Sequence, residues 1–333
     1  MNLNIDFTFT QKEHDELYDQ LVGCSIDPYV QYDDFVEQVA NVLKKGHLPE
    51  RFMRFAEHKK QQCLYENPYV HMANCPVDRH LPELSFENPV LDKRRLKRTY
   101  VAEAFLSLYA LIFEQTAIGY INVNDGDVFQ DIYPKADMSK SQSQKALYDI
   151  NFHKDLANHF VRPTWVNILG LQAEENNEVY TGFTRNKDVL EQLSPKSLEA
   201  LHQKQFHTPY DDLTITSNNF ELGEADIHQV LGRTDIKGDI CFFENRTRGL
   251  NEMAQKAVEE LIEILHCNKR RVHVLRGSFI SCSNDHCLHN KEIVTASAPE
   301  KLKQRWLMKT VNIRDLAQYQ HYMLPESRNI VNG

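Results

Sequence analysis

Residues 152–171 read FHKDLANHFVRPTWVNILGL, and residues 277–289 read GSFISCSNDHCLH. The first stretch holds His153 and Asp155 two residues apart, then an apolar run. Residues i and i+2 on a strand point to the same side of a sheet, so both side chains can reach one metal ion. The second stretch supplies a distant imidazole, His289. Two imidazoles and one carboxylate bind one face of a divalent iron and leave the other face open. A lone H-x-D pair is common by chance and reads equally well as a surface pair. The expectation therefore rests on what surrounds it.

Working outward, the texture is β-rich from about Ile118. Short runs such as IGYINV, VFQDIY, WVNILGL, EVYTGF, DICFF and VHVLRGSFISC alternate with polar loops. Many short strands with helical inserts predict a mainly β fold with α elaborations, built on a jelly-roll core of the cupin kind. The earlier part reads helical. Thr10 and Glu13 form a capping box ahead of one helix, and Gly46 closes another that starts near Tyr32. Residues Leu91 to Glu114 read as one long amphipathic helix. Ser194-Pro195 starts a short helix, and another is expected from about Asn251 to His266. The expected organisation is a helical region, 1–117, packed on a β core, 118–333, as one integrated domain.

Bulk properties narrow the classes. The 333 residues carry a formal net charge of -9, which argues against general affinity for nucleic acid. The basic runs at Lys93-Arg94-Arg95 and Lys269-Arg270-Arg271 read as solvated faces. No stretch is long and apolar enough to span a bilayer, and no secretory signal opens the sequence. Seven scattered cysteines suggest no disulfide framework, so a reducing cytoplasm is expected.

Four further features take positions around the metal candidates: Thr181, Gly277, Arg305 and the dipeptide Arg162-Pro163. With them, the segment at 152–171 resembles the first-ligand segment of the clavaminate synthase-like Fe(II)/2-oxoglutarate oxygenases, related to taurine dioxygenase. The 277–289 segment resembles their second-ligand segment. The resemblance covers roughly residues 118–315, with gaps. It implies His153, Asp155 and His289 as iron ligands, and Arg305 and Thr181 as the groups holding the far carboxylate of 2-oxoglutarate. It also implies O2 as oxidant and hydroxylation of an unactivated C–H, with release of succinate and CO2. Relatives often act on free amino acids. Asn122, Ser143 and Lys309 then fall near positions that meet the substrate, and Asp239 and Glu244 are candidates for a basic side chain. Lysine or arginine is the first expectation, in a small-metabolite or natural-product pathway. The same chemistry on an amino acid tethered to a carrier protein is the alternative.

The chain departs from the family pattern in three places. His286 lies within SNDHCLH as a rival ligand, Lys309 stands where an arginine is usual, and Asp155 replaces the commoner glutamate. A different class is a zinc-stabilised interaction module, using Cys282, His286, Cys287 and His289, or His58, Cys63, His71 and Cys75. Structural zinc favours tightly paired thiols, and neither group has that spacing.

Overall fold

A computed structural model describes residues 1–210, 225–327 and 329–332. In chain order these form β1 (Phe7–Thr8), α1 (Gln11–Leu21), α2 (Tyr32–Lys44), α3 (Glu50–Lys60), β2 (Tyr69–Ala73), α4 (Pro89–Leu96), α5 (Val101–Ile112), β3 (Thr116–Tyr120), β4 (Gln130–Ile132) and β5 (Ile150–His153). Then come β6 (Trp165–Gln172), β7 (Asn177–Arg185), α6 (Asn186–Leu190), α7 (Pro195–Leu201), β8 (Phe206–His207), β9 (Ile227–His228), β10 (Arg248–Gly249) and α8 (Glu252–Cys267). The last elements are β11 (Arg270–His273), β12 (Phe279–Ser283), β13 (Cys287–Ala296), α9 (Pro299–Leu302), β14 (Trp306–Ile313) and β15 (Ile330–Val331).

The architecture is mainly sheet with helices on its outside. An eight-stranded sheet has the order β1-β2-β12-β6-β14-β3-β15, with β4 also paired to β14. A four-stranded antiparallel sheet has the order β11-β7-β13-β5. The two sheets share one apolar layer. Val166, Ile168, Ile280, Leu307 and Val311 of the large sheet meet Phe183, Val272 and Cys287 of the small one. Strand alternation then sends the intervening residues outward. Leu169, Phe279 and Met308 turn away to pack against α1, α2, α3 and α5. Phe152 and Leu288 of the small sheet likewise pack outward, against α7 and α8.

Local signals explain the helix ends. Thr10 accepts from the Glu13 N–H while the Glu13 carboxylate accepts from the Thr10 N–H at 2.8 Å. Gly46 closes α2 at φ +69°. Ser194 caps α7 with Pro195 behind it, and Asn251 caps α8.

Three expectations need correction. The long helix across Leu91–Glu114 is two helices, α4 and α5, broken where Lys97 turns extended. The break lets the Lys97 ammonium reach Asp78 at 3.0 Å and Glu103 at 2.6 Å, all three buried. A straight helix could not place that charge among both partners. The run VHVLRGSFISC is two strands in different sheets, β11 and β12, joined through Gly277 at φ +74°. The run DICFF forms no strand and pairs only through isolated bridges at Ile240 and Phe243. Among the described residues no helix is long and apolar enough to cross a membrane.

Candidate metal centre

The three expected ligands converge. Each of His153, Asp155 and His289 offers one ligand atom, and these atoms lie within 4.8 Å of one another. The local cause is strand pairing. His153 and His289 are direct cross-strand partners on β5 and β13, and their rings lie 4.3 Å apart. Phe152 and Leu288 face the outer core, so the next residue on each strand faces the space between the sheets. Asp155 arrives by another route. The strand ends at His153, and Asp155 sits in a turn followed by Leu156 at φ +54°. The simple same-face argument therefore fails for it, although its carboxylate still reaches the site. Its Oδ1 lies 3.4 Å from His153 Nε2 and 3.6 Å from His289 Nε2.

That turn is held from two sides. The Asn284 side chain accepts from the Asp155 N–H at 3.0 Å and donates to the Asp155 carbonyl at 3.1 Å. It also donates to the Pro163 carbonyl at 2.9 Å. Between the two ligands, Lys154 points the other way and is buried in an ion pair with Asp239, with Asp285 at 3.3 Å. Its anchoring turns the flanking His153 and Asp155 toward the cavity.

The protonation states suit a cation. His153 Nδ1 lies 2.8 Å from the Asn151 carbonyl. A carbonyl only accepts, so Nδ1 carries the proton and Nε2 offers its lone pair to the site. Burial, then the neighbouring His153, hold His289 below the usual imidazole range. Burial alone would raise Asp155, but the Lys309 ammonium at 3.2 Å and the two imidazoles hold it well below the usual carboxylate range. One carboxylate and two imidazole nitrogens around an open cavity form a donor set that fits Fe(II).

The other expected residues divide into two groups. Asn122, Ser143, Thr181, Arg305 and Lys309 all line the cavity that opens onto the three ligands. Arg305 is buried, its Nη2 has no hydrogen-bond partner, and burial pushes its pKa down to about 10. An unpaired buried guanidinium is costly and fits a site awaiting an anion. Ser143 shares a hydrogen bond with Ser141 at 2.7 Å. Asp239 and Glu244 do not line the cavity. Asp239 is consumed by Lys154 and Thr234. Glu244 accepts from the Phe152 N–H and contacts His266. Both acids serve the framework, which is why sequence reasoning mistook them for substrate groups.

The rival ligand and the zinc groupings do not assemble. His286 is set against the Tyr65 ring at 5.9 Å, while His289 joins His153 and Asp155. Among the described residues no thiol-containing group of three or more converges.

Two charged lining residues escaped the sequence reading. Lys291 follows His289 by two on β13, opposite Thr181 on β7, and donates to the Ala146 carbonyl at 2.7 Å. Burial, with the charge of Arg305, pushes its pKa down to about 7. The strand alternation that turns His289 inward would have found it. Arg246 lines the cavity from an irregular segment and carried no periodic signal.

No family model matches the sequence. Clavaminate synthase 2 of Streptomyces clavuligerus is 27% identical over 144 residues, which is 42% of this chain and 42% of that protein. L-asparagine oxygenase of Streptomyces coelicolor is 24% identical over 232 residues, 67% of this chain and 66% of that protein. The chain thus spans less than two thirds of the length of either relative. Among solved structures, asparagine oxygenase in complex with Fe(II), 2S,3S-3-hydroxyasparagine and succinate superposes with a TM-score of 0.83 at 19% identity. That match covers 99% of this chain and 100% of the other. The non-heme iron oxygenase OrfP in complex with Fe, succinate and (3R,4R)-dihydroxy-L-Arg gives 0.78 at 16% identity, covering 98% and 99%. These likenesses show a shared fold. The similarity to clavaminate synthase and asparagine oxygenase agrees with the resemblance carried by the segments at 152–171 and 277–289.

Proposed function

We propose that this chain is an Fe(II)/2-oxoglutarate-dependent oxygenase that hydroxylates an unactivated C–H of a free polar amino acid. The observation that carries the reading is the convergence of His153, Asp155 and His289 at one end of a cavity that also holds the unpaired Arg305. Iron, when bound with 2-oxoglutarate and O2, supplies C–H oxidation coupled to decarboxylation of 2-oxoglutarate to succinate and CO2.

The chain's own part is binding and orientation. Nε2 of both histidines and the Asp155 carboxylate hold the ion. The Asn151 carbonyl fixes the His153 tautomer, and Asn284 fixes the turn that carries Asp155. Arg305 pairs with the distal carboxylate of the co-substrate, and the Thr181 hydroxyl donates to it. A planar guanidinium suits a carboxylate better than an ammonium does. Asn122, Ser143 and Lys309 are assigned to the amino-acid substrate. Lys309 is already beside Asp155, so a substrate carboxylate drawn to it would lie next to the iron. In this reading the facing sheets are the double-stranded β-helix of the enzyme class, and residues 1–117 buttress it within one domain. The protein acts in the cytoplasm on a free amino acid rather than a carrier-bound one.

The test is anaerobic addition of Fe(II) and 2-oxoglutarate, read as a weak visible metal-to-ligand band, then succinate release in air. Band and release are expected for the wild type. Both are expected to vanish in His153→Ala, Asp155→Ala and His289→Ala with the fold retained by circular dichroism. A variant that kept full turnover would lose its place in the ligand set.

A further inference from the structure

The charges lining the cavity are strongly one-sided. Among the described residues, Arg246, Lys291, Arg305 and Lys309 line it with basic side chains, and Asp155 is the single carboxylate, while the Lys154 ammonium is turned away into its pair with Asp239. Most of these cations already have a task. Lys291 donates to a backbone carbonyl, and Lys309 is paired with Asp155. Arg305 belongs to the co-substrate in the reading above.

Arg246 has no such partner. Its backbone N–H donates to the Phe243 carbonyl at 3.1 Å, and its guanidinium carbon lies 4.4 Å above the Phe243 ring. No carboxylate of the described residues lies within ion-pair distance of it. Phe243 in turn stacks on His153, with ring centres 4.9 Å apart and planes 24° from parallel. The guanidinium is thus layered over the ring that covers an iron ligand. The ring contact uses none of its N–H donors on a carboxylate, and those donors can bind one in bidentate fashion. Half-buried in the cavity wall, those donors act in a lower effective dielectric than bulk water.

A cationic side chain entering this cavity would meet like charges and no free carboxylate among the described residues. Asp239 and Glu244, the acids that could have received it, are engaged outside the lining. Uncompensated like charge is a specificity device against such substrates. We infer that the site takes an amino acid whose side chain is itself acidic, with Arg246 holding that second acid; the inference rests on the oxygenase reading above.

The experiment measures succinate release with Fe(II) and 2-oxoglutarate, using aspartate, glutamate, asparagine, glutamine, lysine and arginine in turn. Aspartate or glutamate is expected to stimulate release best. Arg246→Met is expected to raise the KM for that acid by roughly 10- to 100-fold, the worth of one charge-assisted pair. The KM for 2-oxoglutarate and the anaerobic band should stay unchanged, and Arg246→Lys should recover part of the loss. Best stimulation by lysine, arginine or an amide overturns the inference, as does an unchanged acid KM in Arg246→Met. A normal band with no stimulation by either acid also overturns it and leaves the oxygenase reading standing. A missing band overturns the oxygenase reading itself.

Discussion

At the scale of single residues, Asn284 holds the turn that brings Asp155 into the proposed metal site. Asp155 lies beyond the end of its strand, so no ladder of backbone hydrogen bonds fixes it. The Asn284 amide replaces that ladder with bonds to both the N–H and the carbonyl of Asp155. Outer partners of this kind commonly contribute 10- to 100-fold to metal affinity. Asn284→Ala should therefore raise the Fe(II) Kd by roughly that factor, measured by competition with a chelator. Unfolding followed in parallel should shift far less than the affinity. Arg305 poses the complementary case at the other end of the cavity. Arg305→Ala should raise the 2-oxoglutarate KM sharply while the affinity for Fe(II) alone is kept. An unchanged 2-oxoglutarate requirement would remove its assignment.

At the scale of elements, the site depends on two strands keeping register. A slip of one residue on β5 or β13 would turn His153 or His289 into the outer core and bring Phe152 or Leu288 inward. Glycines protect the register where chains approach closely. A Cβ on Gly170 of β6 would fall 1.9 Å from the Leu275 carbonyl oxygen, in the connection between β11 and β12. Backbone cannot yield there as a flexible side chain could. Gly170→Ala should cost about 1–3 kcal/mol, read as a lowered thermal midpoint with activity lost only as the protein unfolds. This scale also shows what was legible beforehand. Short β-rich runs between polar loops revealed β6 and β7, and capping residues revealed α1 and α7, because those signals are local. The register of β5 against β13 was not legible, since pairing partners lie far apart in sequence. Asp155 was found by its residue type and its neighbour, although the strand geometry first assigned to it was wrong. Asp239 and Glu244 were misread because a buried acid looks the same in sequence whether its partner is Lys154, a backbone N–H or a substrate.

At the scale of the whole molecule, the question is what joins the helical layer to the sheets that carry the site. Apolar packing supplies most of the joint, through Phe9, Phe105 and Tyr109 against Phe279 and Met308. A buried charge cluster adds direction to it. Lys97, at the break between α4 and α5, pairs with Asp78 and Glu103, and Glu103 accepts from the Tyr29 hydroxyl at 2.6 Å. The Asp78 carbonyl in turn accepts from Arg276, in the turn that leads into β12. Removing one member of a buried set leaves an uncompensated charge and typically costs 3–5 kcal/mol. Lys97→Met should therefore lower the thermal midpoint by several degrees or more. The pH dependence has a definite sign. Burial disfavours the charged lysine, but Glu103 and Asp78 reverse this and raise its pKa above the ordinary 10.5. The folded chain thus holds the proton more tightly than the unfolded one, and the stabilisation is fully present below 10.5. It is lost as the pH rises through the folded value. The stability gap between wild type and Lys97→Met should stay level near neutral pH and shrink in strong alkali. In acid the gap should shrink too, because burial already raises the Glu103 pKa and protonation removes the charge that the variant leaves unpaired. A gap that stayed constant from acid to alkali would show that Lys97 contributes packing alone, with no charge pairing to Asp78 and Glu103.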